Sequence, residues 1–281
     1  MRHLDFGRTG ARVPVVGIGT WQMERDDARG AVAAIRAALD AGATHVDTAE
    51  LYGNGHVEKL VGEAIHGRRD GIFLVSKVRP DNASRRGTVQ ACERSLRRLG
   101  TEVLDCYLLH WEGPHPLGDT IAAFEELVAA GKIRAWGVSN FDELLLEQAL
   151  KIAGPGRIAC NQVLYHLAER SIEHAVVGFC EEHGIAVVGY TPFGRGKFPP
   201  GGAEGARVLA AIGEAHGATP RQVALAFLTR RPSMFAIPKS SHAERATENS
   251  GAGALVLRDD ELAALDRAFP RGRQRAGVPT I

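Results

Sequence analysis

Short apolar runs alternate along most of the chain with longer stretches in which apolar residues recur every three or four positions. The short runs are typical of buried strands, and the longer period is typical of helices that cover a sheet. The predicted strands are 15–19, 44–49, 72–77, 103–110, 132–139, 158–163, 185–192 and 234–241. The predicted helices are 27–41, 57–65, 84–98, 121–130, 142–151, 172–183, 206–216, 221–230, 242–250 and 261–269. Apolar strands separated by helices indicate a parallel sheet that is covered on both faces.

The eight strand–helix units favour closure of the sheet into a (β/α)8 TIM barrel. Such a barrel takes about 250 residues, and the chain has 281, so we expect a single barrel domain over residues 1–281. The alternative is an open doubly wound sheet. That fold would carry G-x-G-x-x-G after its first strand, whereas Gly17-Ile18-Gly19 is followed here by Thr20-Trp21-Gln22.

Segments outside the repeating units complete the predicted α/β architecture. Residues 2–6 and 12–16 alternate weakly around Gly7-Arg8-Thr9-Gly10, which predicts an N-terminal β-hairpin. Helices beyond the eighth strand are expected as C-terminal additions to the barrel. Segments 192–205 and 270–281 are rich in Gly and Pro for their length, and we interpret them as a mobile rim loop and a loose tail.

Composition narrows the classes of function. The formal net charge is +1, so nothing indicates a nucleic-acid or membrane partner. No apolar run approaches the roughly 18 residues that a membrane span needs, and the N-terminus lacks the apolar stretch of a secretory signal. The four cysteines are widely spaced, as expected of buried thiols in a reducing compartment. These features predict a cytoplasmic protein, with a monomer as the default.

Polar residues close three of the apolar strands. Asp47, Lys77 and His110 each end a strand, and Tyr52 lies in the loop after the first of them. In a parallel barrel this rim is where active sites are built. A tyrosine donates a proton to a developing alkoxide more readily beside a cation that lowers its pKa. Lys77 is the candidate cation, Asp47 its counter-charge, and His110 a hydrogen-bond donor to the same carbonyl oxygen.

Two other interpretations of these residues remain open at this point. Each residue, taken alone, could be structural: an ion pair at the rim, a loop aromatic or a strand-end histidine. Alternatively, His45, Asp47, His110 and His166 could be the ligands of a metal-dependent hydrolase with a barrel fold. Lys77 argues against a metal, because it would place a cation next to the ion. We therefore expect no metal site.

At these residues the chain resembles the aldo-keto reductases. The resemblance rests on several motifs in a fixed order over essentially the whole chain. They are GRTGARVP (7–14), GIGTW (17–21), DTAELYG (47–53), SK (76–77), LLHW (108–111), GVSNF (137–141), NQ (161–162), GYTPFG (189–194) and IPKSSHAERATEN (237–249). The resemblance implies the same barrel and an NADPH-dependent reduction of an aldehyde or ketone, a small-molecule carbonyl substrate.

The resemblance also implies a role for each matched position. Tyr52 is expected as the proton donor, with Asp47, Lys77 and His110 in support. Ser139, Asn140 and Gln162 match positions that bind the nicotinamide carboxamide, and Tyr190 matches the aromatic residue that stacks on the ring. The matched pyrophosphate segment is Thr191, Pro192, Phe193 and Gly194. Lys239, Ser240 and Arg245 match the 2′-phosphate site of NADPH, and Glu248 and Asn249 match the adenine contacts.

The substrate side of the site is less well defined. Trp21, Met23 and Trp111 are the expected walls of a substrate pocket, and the loop after His110 is short, which suggests an open pocket. The roles of His56 and of the 195–205 loop, as well as the physiological substrate, stay undetermined. A non-catalytic subunit that binds nucleotide and senses redox state is an alternative that the sequence does not exclude.

Overall fold

The computed structural model describes residues 1–195 and 198–280. Its main feature is a sheet of eight parallel strands in which each strand pairs with the next along the chain. The strands of this sheet are β3 (Ile18–Gly19), β4 (His45–Asp47), β5 (Phe73–Val78), β6 (Leu104–Leu109), β7 (Ile133–Ser139), β8 (Ile158–Leu164), β9 (Ala186–Tyr190) and β10 (Met234–Ile237), and they follow a short hairpin of β1 (His3–Asp5) and β2 (Arg12–Pro14). The predicted parallel sheet and N-terminal hairpin are confirmed.

Backbone hydrogen bonds close the sheet on itself between its first and last strands. The amide of Gly17 donates to the carbonyl of Ala236 (2.9 Å), and the amide of Ala236 donates to the carbonyl of Val15 (2.9 Å). The amide of Gly19 likewise donates to the carbonyl of Pro238 (3.1 Å). The sheet is therefore a barrel, as the eight repeating units indicate, and it is not the open doubly wound alternative.

Helices surround the barrel in the predicted order. They are α1 (Ala28–Asp40), α2 (His56–Ile65), α3 (Arg85–Leu99), α4 (Leu117–Ala129), α5 (Glu143–Ala153), α6 (Val176–His183), α7 (Gly202–His216), α8 (Pro220–Leu228), α9 (Ala243–Gly251) and α10 (Asp259–Ala268). Side-chain caps fix several starts: the carboxylates of Asp27 and Asp142 accept from the backbone at the beginning of α1 and α5. Among the described residues, none of the helices combines the length and the hydropathy of a membrane span.

Some predicted boundaries differ from those of the structure. The predicted helix 172–183 is a 3₁₀ turn, Ser171–Glu173, followed by the shorter α6, because Ala175 between them has a non-helical backbone (φ −139°, ψ −54°). The last residues of the predicted rim loop 192–205 belong to α7, which begins at Gly202. Residues 196 and 197 of that loop lie outside the described residues.

Aromatic rings fill the end of the barrel opposite the strand carboxyl termini. Phe6, which follows the first hairpin strand, is fully buried and packs against Phe73 (ring centroids 4.6 Å apart) and Phe235 (5.1 Å). His45 stands edge-on to Phe6 at 5.7 Å. This apolar floor leaves the carboxyl-terminal rim as the accessible end of the barrel.

Candidate active site

The loops at the carboxyl ends of the strands surround a cavity of about 1140 Å³. This is the rim at which barrel enzymes place their chemistry. Sixteen of the residues singled out in the sequence line the cavity: Trp21, Asp47, Tyr52, His110, Trp111, Ser139, Asn140, Gln162, Tyr190, Thr191, Pro192, Phe193, Lys239, Ser240, Arg245 and Asn249. Residues that are far apart in the sequence thus share one concave surface.

A buried ammonium group joins the predicted catalytic residues. Lys77 Nζ donates to Asp47 Oδ1 (2.6 Å), to the carbonyl of Thr48 (2.9 Å) and to the Tyr52 hydroxyl (3.2 Å). Lys77 and Asp47 lie on the paired strands β5 and β4, and their side chains are 0% and 1% exposed. Water is therefore excluded from the pair, and each of the three donor bonds of the ammonium has a partner.

The local backbone brings Tyr52 to this ammonium. Tyr52 begins a 3₁₀ turn, Tyr52–Gly55, in which Gly53 and Asn54 have left-handed backbone conformations (φ 54° and 51°). Glycine adopts such angles without steric cost, and asparagine tolerates them better than most residues. The turn folds the loop after β4 back over the rim, so the phenol points at the end of β5.

Burial sets the direction of the pKa shifts in this group. Burial raises the pKa of Tyr52 and outweighs the nearby Lys77 charge, which lowers it. Lys77 thus acts on the pKa of Tyr52 in the expected direction, but burial makes the net shift upward. Burial lowers the pKa of Lys77, but the Asp47 carboxylate outweighs it and the net pKa is raised. At neutral pH the phenol keeps its proton and the lysine is cationic, which is the arrangement that a proton donor needs.

His110 faces the same space from the end of β6. Its ring stands edge-on to the Tyr52 ring with centroids 5.8 Å apart, and it lines the cavity. Burial, together with the Lys77 charge, lowers the pKa of His110 well below its usual value. The imidazole is therefore neutral at physiological pH and can donate one N–H hydrogen bond.

A second hydrogen-bond network connects β7, β8 and β9 at the rim. The Tyr190 hydroxyl donates to Asn140 Oδ1 (2.8 Å), and Asn140 Nδ2 donates to the carbonyl of His110 (3.1 Å). Ser139 Oγ donates to the carbonyl of Gln162 (2.8 Å), and Gln162 Nε2 donates to Asp47 Oδ2 (2.7 Å). The predicted carboxamide-binding residues are thus brought together, and Gln162 also holds the carboxylate that pairs with Lys77.

The opposite end of the cavity carries the segment after β10. Lys239, Ser240, Arg245 and Asn249 line it where α9 begins. His242, at the helix start, makes no side-chain cap, so amides of the first turn lack a side-chain acceptor from the N-cap. Together with the basic side chains, this end favours an anion.

Comparison with known proteins agrees with this geometry. The model of the aldo/keto reductase family matches residues 15–269. The chain belongs to the aldo/keto reductase family. It is 40% identical over 271 residues to methylglyoxal reductase YeaE of Escherichia coli K12, covering 96% of this chain and 95% of that protein.

Solved structures of aldo/keto reductases superpose closely on this one. An enzyme from Klebsiella pneumoniae in complex with NADP and acetate has a TM-score of 0.92 and 42% identity, with both chains covered completely. A structure from the same organism in complex with NADPH has a TM-score of 0.92 and 43% sequence identity, and the match covers 100% of this chain and 99% of the other. The predicted oxidoreductase class and barrel fold are confirmed, and the bound cofactors agree with the nicotinamide cofactor expected from the sequence.

Four of the residues singled out in this aldo/keto reductase do not line the main cavity, and one of them is Lys77, which is fully buried. Met23 is fully buried in the core and is not a pocket wall, which corrects that expectation. Glu248 accepts a hydrogen bond from Thr219 Oγ1 (2.6 Å) and so faces α8. Gly194 lies against the ring of His166 and lines a smaller neighbouring cavity. His56, left open in the sequence, begins α2, is exposed and does not line the main cavity.

Several lining residues were missed in the sequence. The Arg195 guanidinium lies over the Trp21 ring at 4.9 Å, and the Arg221 guanidinium lies 5.3 Å from the Phe198 ring. Val278 and Thr280 show that the supposed loose tail returns to the cavity. Arg221 lies in the first turn of α8, and only the tertiary fold brings it to the rim, so no local signal could identify it.

The metal-ligand alternative has no cluster to support it. Within residues 1–195 and 198–280, no three His, Cys, Asp or Glu side chains are grouped so that they could hold a metal ion. His45 lies on the apolar floor among phenylalanines, while His166 Nδ1 accepts the amide of Ala168 (3.2 Å). Asp47 is committed to Lys77 and Gln162.

Proposed function

We propose that the protein reduces an aldehyde or ketone to an alcohol with NADPH, and that Tyr52 is the proton donor. The observation that carries the proposal is the buried chain from Asp47 through Lys77 to the Tyr52 hydroxyl, with bonds of 2.6 and 3.2 Å. This chain ends at a cavity that reaches the basic segment after β10. A proton donor at one end and cations at the other suit a carbonyl beside a phosphorylated dinucleotide.

The residues around the cavity fit NADPH in their chemistry. Ser139, Asn140 and Gln162 offer polar groups for a carboxamide, and the Tyr190 ring offers a stacking surface. Lys239 and Arg245 supply positive charge for a phosphate dianion, and charge-assisted bonds of this kind are the stronger ones. Arg195 and Arg221 add cations along the same wall.

The proton chemistry follows from the protonation states. NADPH, when bound, supplies a hydride to the carbonyl carbon. The Tyr52 O–H bond breaks and its proton goes to the carbonyl oxygen, which becomes the alcohol. The phenolate left behind is stabilised by the Lys77 ammonium at 3.2 Å, and a neutral His110 orients the carbonyl oxygen by hydrogen bonding.

Two tryptophans form part of the proposed substrate pocket. Trp21 and Trp111 line the cavity near Tyr52, and Trp111 packs against His110 with ring centroids 4.7 Å apart. Because a relative with 40% identity is named as a methylglyoxal reductase, methylglyoxal is the first compound to test, followed by larger aldehydes and ketones.

Replacing the proton donor tests the proposal. Tyr52→Phe removes the acidic hydroxyl and keeps the ring, so we expect kcat to fall by about 100- to 10,000-fold, the usual worth of general acid catalysis. NADPH affinity should stay nearly unchanged. Turnover is followed by NADPH absorbance with methylglyoxal, and affinity by quenching of protein fluorescence.

The matched control is Tyr107→Phe. Tyr107 is fully buried in β6, packs against Phe124 and does not line the cavity, so its substitution should leave kcat within about twofold. Full turnover in Tyr52→Phe would remove Tyr52 from the mechanism. A wild-type protein that binds NADPH but reduces no carbonyl in the panel would instead support the non-catalytic subunit.

A further inference from the structure

The loop after β3 places a carboxylate against the basic end of the cavity. Asp26 Oδ2 forms an ion pair with Lys239 Nζ and accepts a hydrogen bond from Ser241 Oγ (2.5 Å). Asp26, Lys239 and Ser241 all line the cavity. Two groups that could hold a phosphate are thus already engaged by an anion of the protein itself.

The charge state of Asp26 follows from the same contacts. Burial alone would raise the pKa of Asp26, but the hydrogen bonds from Lys239 and Ser241 outweigh it and lower the pKa. The carboxylate is therefore ionised at neutral pH. Arg245, in contrast, forms no ion pair within residues 1–195 and 198–280, so its charge is fully available to a ligand.

A phosphate dianion and a ribose hydroxyl would meet Asp26 differently. A dianion at Lys239 would lie within a few ångströms of the Asp26 carboxylate and would compete with it for the Lys239 ammonium, and like charges repel at this distance. A ribose 2′-hydroxyl can donate a hydrogen bond to a carboxylate, as acidic residues do in enzymes that bind NAD. Asp26 should thus weaken binding of a 2′-phosphate without weakening binding of a 2′-hydroxyl.

We propose that Asp26 is a specificity-determining residue, which competes with the 2′-phosphate for Lys239 and Ser241 and so narrows the preference for NADPH over NADH. This inference rests on the proposed function, in which Lys239 and Arg245 hold that phosphate. Asp26 lies outside the segment after β10, so a carboxylate from another loop would help set the relative affinity for NADPH and NADH.

The test is Asp26→Asn, which removes the charge and nearly keeps the shape. We expect the dissociation constant of NADPH to fall by roughly five- to tenfold, because one repulsive charge is lost and Lys239 is released. The dissociation constant of NADH should stay the same or rise. Adenosine 2′,5′-bisphosphate and 5′-AMP, measured by titration calorimetry, should show the same contrast without the nicotinamide half.

The matched control is Asp27→Asn. Asp27 is the next residue and caps α1 by accepting the Gly30 amide, a role that asparagine fills as well. It carries the same charge change without contacting Lys239, so both cofactor affinities should stay within about twofold.

The outcomes separate this inference from the proposed function. If Asp26→Asn weakens NADPH binding, Asp26 positions Lys239 rather than opposing the phosphate, and the inference is wrong. An equal change for NADPH and NADH would also overturn it. Should the wild-type protein bind neither cofactor, the proposed function itself fails.

Discussion

Two buried histidines have different relations to the active site. His110 lines the cavity beside Tyr52, whereas His45 lies lower in the barrel among Phe6, Phe73 and Phe235. Neither ring nitrogen of His45 has a hydrogen-bond partner among the described residues. Burial, with a contribution from the Lys77 charge, lowers the pKa of His45 to about 3. His45 therefore stays neutral wherever the protein is folded near neutral pH.

We expect His45 to make the protein less stable in mild acid. The pKa of an unfolded histidine is about 6.5, so below that pH the unfolded chain binds a proton that the folded His45 refuses. Stability is lost as the pH falls from about 6.5 towards 3, and at pH 5 the loss from this one group is about 2 kcal/mol. His45→Leu should remove that part of the pH dependence.

Urea unfolding at pH 7.5 and pH 5.0 measures this effect. Both proteins should lose free energy of unfolding between pH 7.5 and pH 5.0. The loss should be about 2 kcal/mol smaller for His45→Leu than for the wild type. His110 contributes in the same direction and remains in both proteins. His66→Gln, at an exposed position, should keep the wild-type difference. If His45→Leu also kept it, the neutral state assigned to His45 would be contradicted.

At the scale of elements, a buried ion cluster joins the 3₁₀ turn Ser171–Glu173 to its neighbours. Arg170 Nε and Arg230 Nη2 lie 2.8 and 3.0 Å from the two carboxylate oxygens of Glu173. Arg170 also pairs with Asp266 of α10 (2.6 Å) and donates to the carbonyl of Phe269. The cluster fixes α10 and the end of α8 against the barrel.

We expect Glu173→Gln to weaken the fold and flatten its acid dependence. Burial would raise the pKa of Glu173, but Arg170 and Arg230 outweigh it and lower the pKa to about 2. The stabilisation is therefore present above the unfolded pKa of about 4.3 and is lost as the pH falls through about 2. At pH 7 the free energy of unfolding of the variant should fall by about 3 kcal/mol, since Arg170 and Arg230 both lose the buried Glu173 carboxylate while Arg170 keeps Asp266.

Thermal and urea unfolding between pH 7 and pH 2 measures both effects. Glu182→Gln, which removes an exposed carboxylate of α6, should change the unfolding free energy by less than about 0.5 kcal/mol. A Glu173→Gln variant with wild-type stability at pH 7 would show that the cluster does not hold these elements together.

The same cluster explains why some element boundaries could not be predicted. The periodicity of 172–183 is helical, yet Glu173 points at Arg170 and Arg230 from a 3₁₀ turn, and the chain bends at Ala175 before α6 begins. The bond between Arg230 and Glu173 joins residues more than fifty positions apart, so no local pattern reveals it. Local patterns determine the strands well because their apolar runs are buried on both faces whatever their neighbours are.

At the scale of the whole molecule, the order of the strand–helix units predicts which strand-end residues meet at the rim, but not which loop residues join them. Parallel strands must bring Asp47, Lys77 and His110 to one end, so this group is accessible to sequence reasoning. The positions of Asp26 and of the C-terminal segment could not be predicted from the sequence, because they depend on how loops fold back across the rim. Val278 lines the cavity although its segment carries no strand or helix signal.

Gly17, directly before β3, lies close to the backbone of β4 and also bonds to β10. A Cβ atom on Gly17 would lie 2.4 Å from the carbonyl oxygen of His45, too close for any side chain. The amide of Gly17 is also one of the few that bond β10 to the first strand of the sheet. We expect Gly17→Ala to lower the free energy of unfolding by about 2–4 kcal/mol, because the strands must separate to admit the methyl group.

Urea unfolding compares this variant with Gly118→Ala. A Cβ on Gly118, in the first turn of α4, meets nothing within 4 Å, and alanine favours a helix more than glycine does. The free energy of unfolding of Gly118→Ala should therefore stay the same or rise by up to about 1 kcal/mol. Gly17→Ala should also lower kcat, because β4 carries Asp47 and pairs with β3 in the register Gly19–Asp47. Wild-type stability in Gly17→Ala would mean that β4 can move away from Gly17 without cost, which would contradict the close packing inferred for these two backbones.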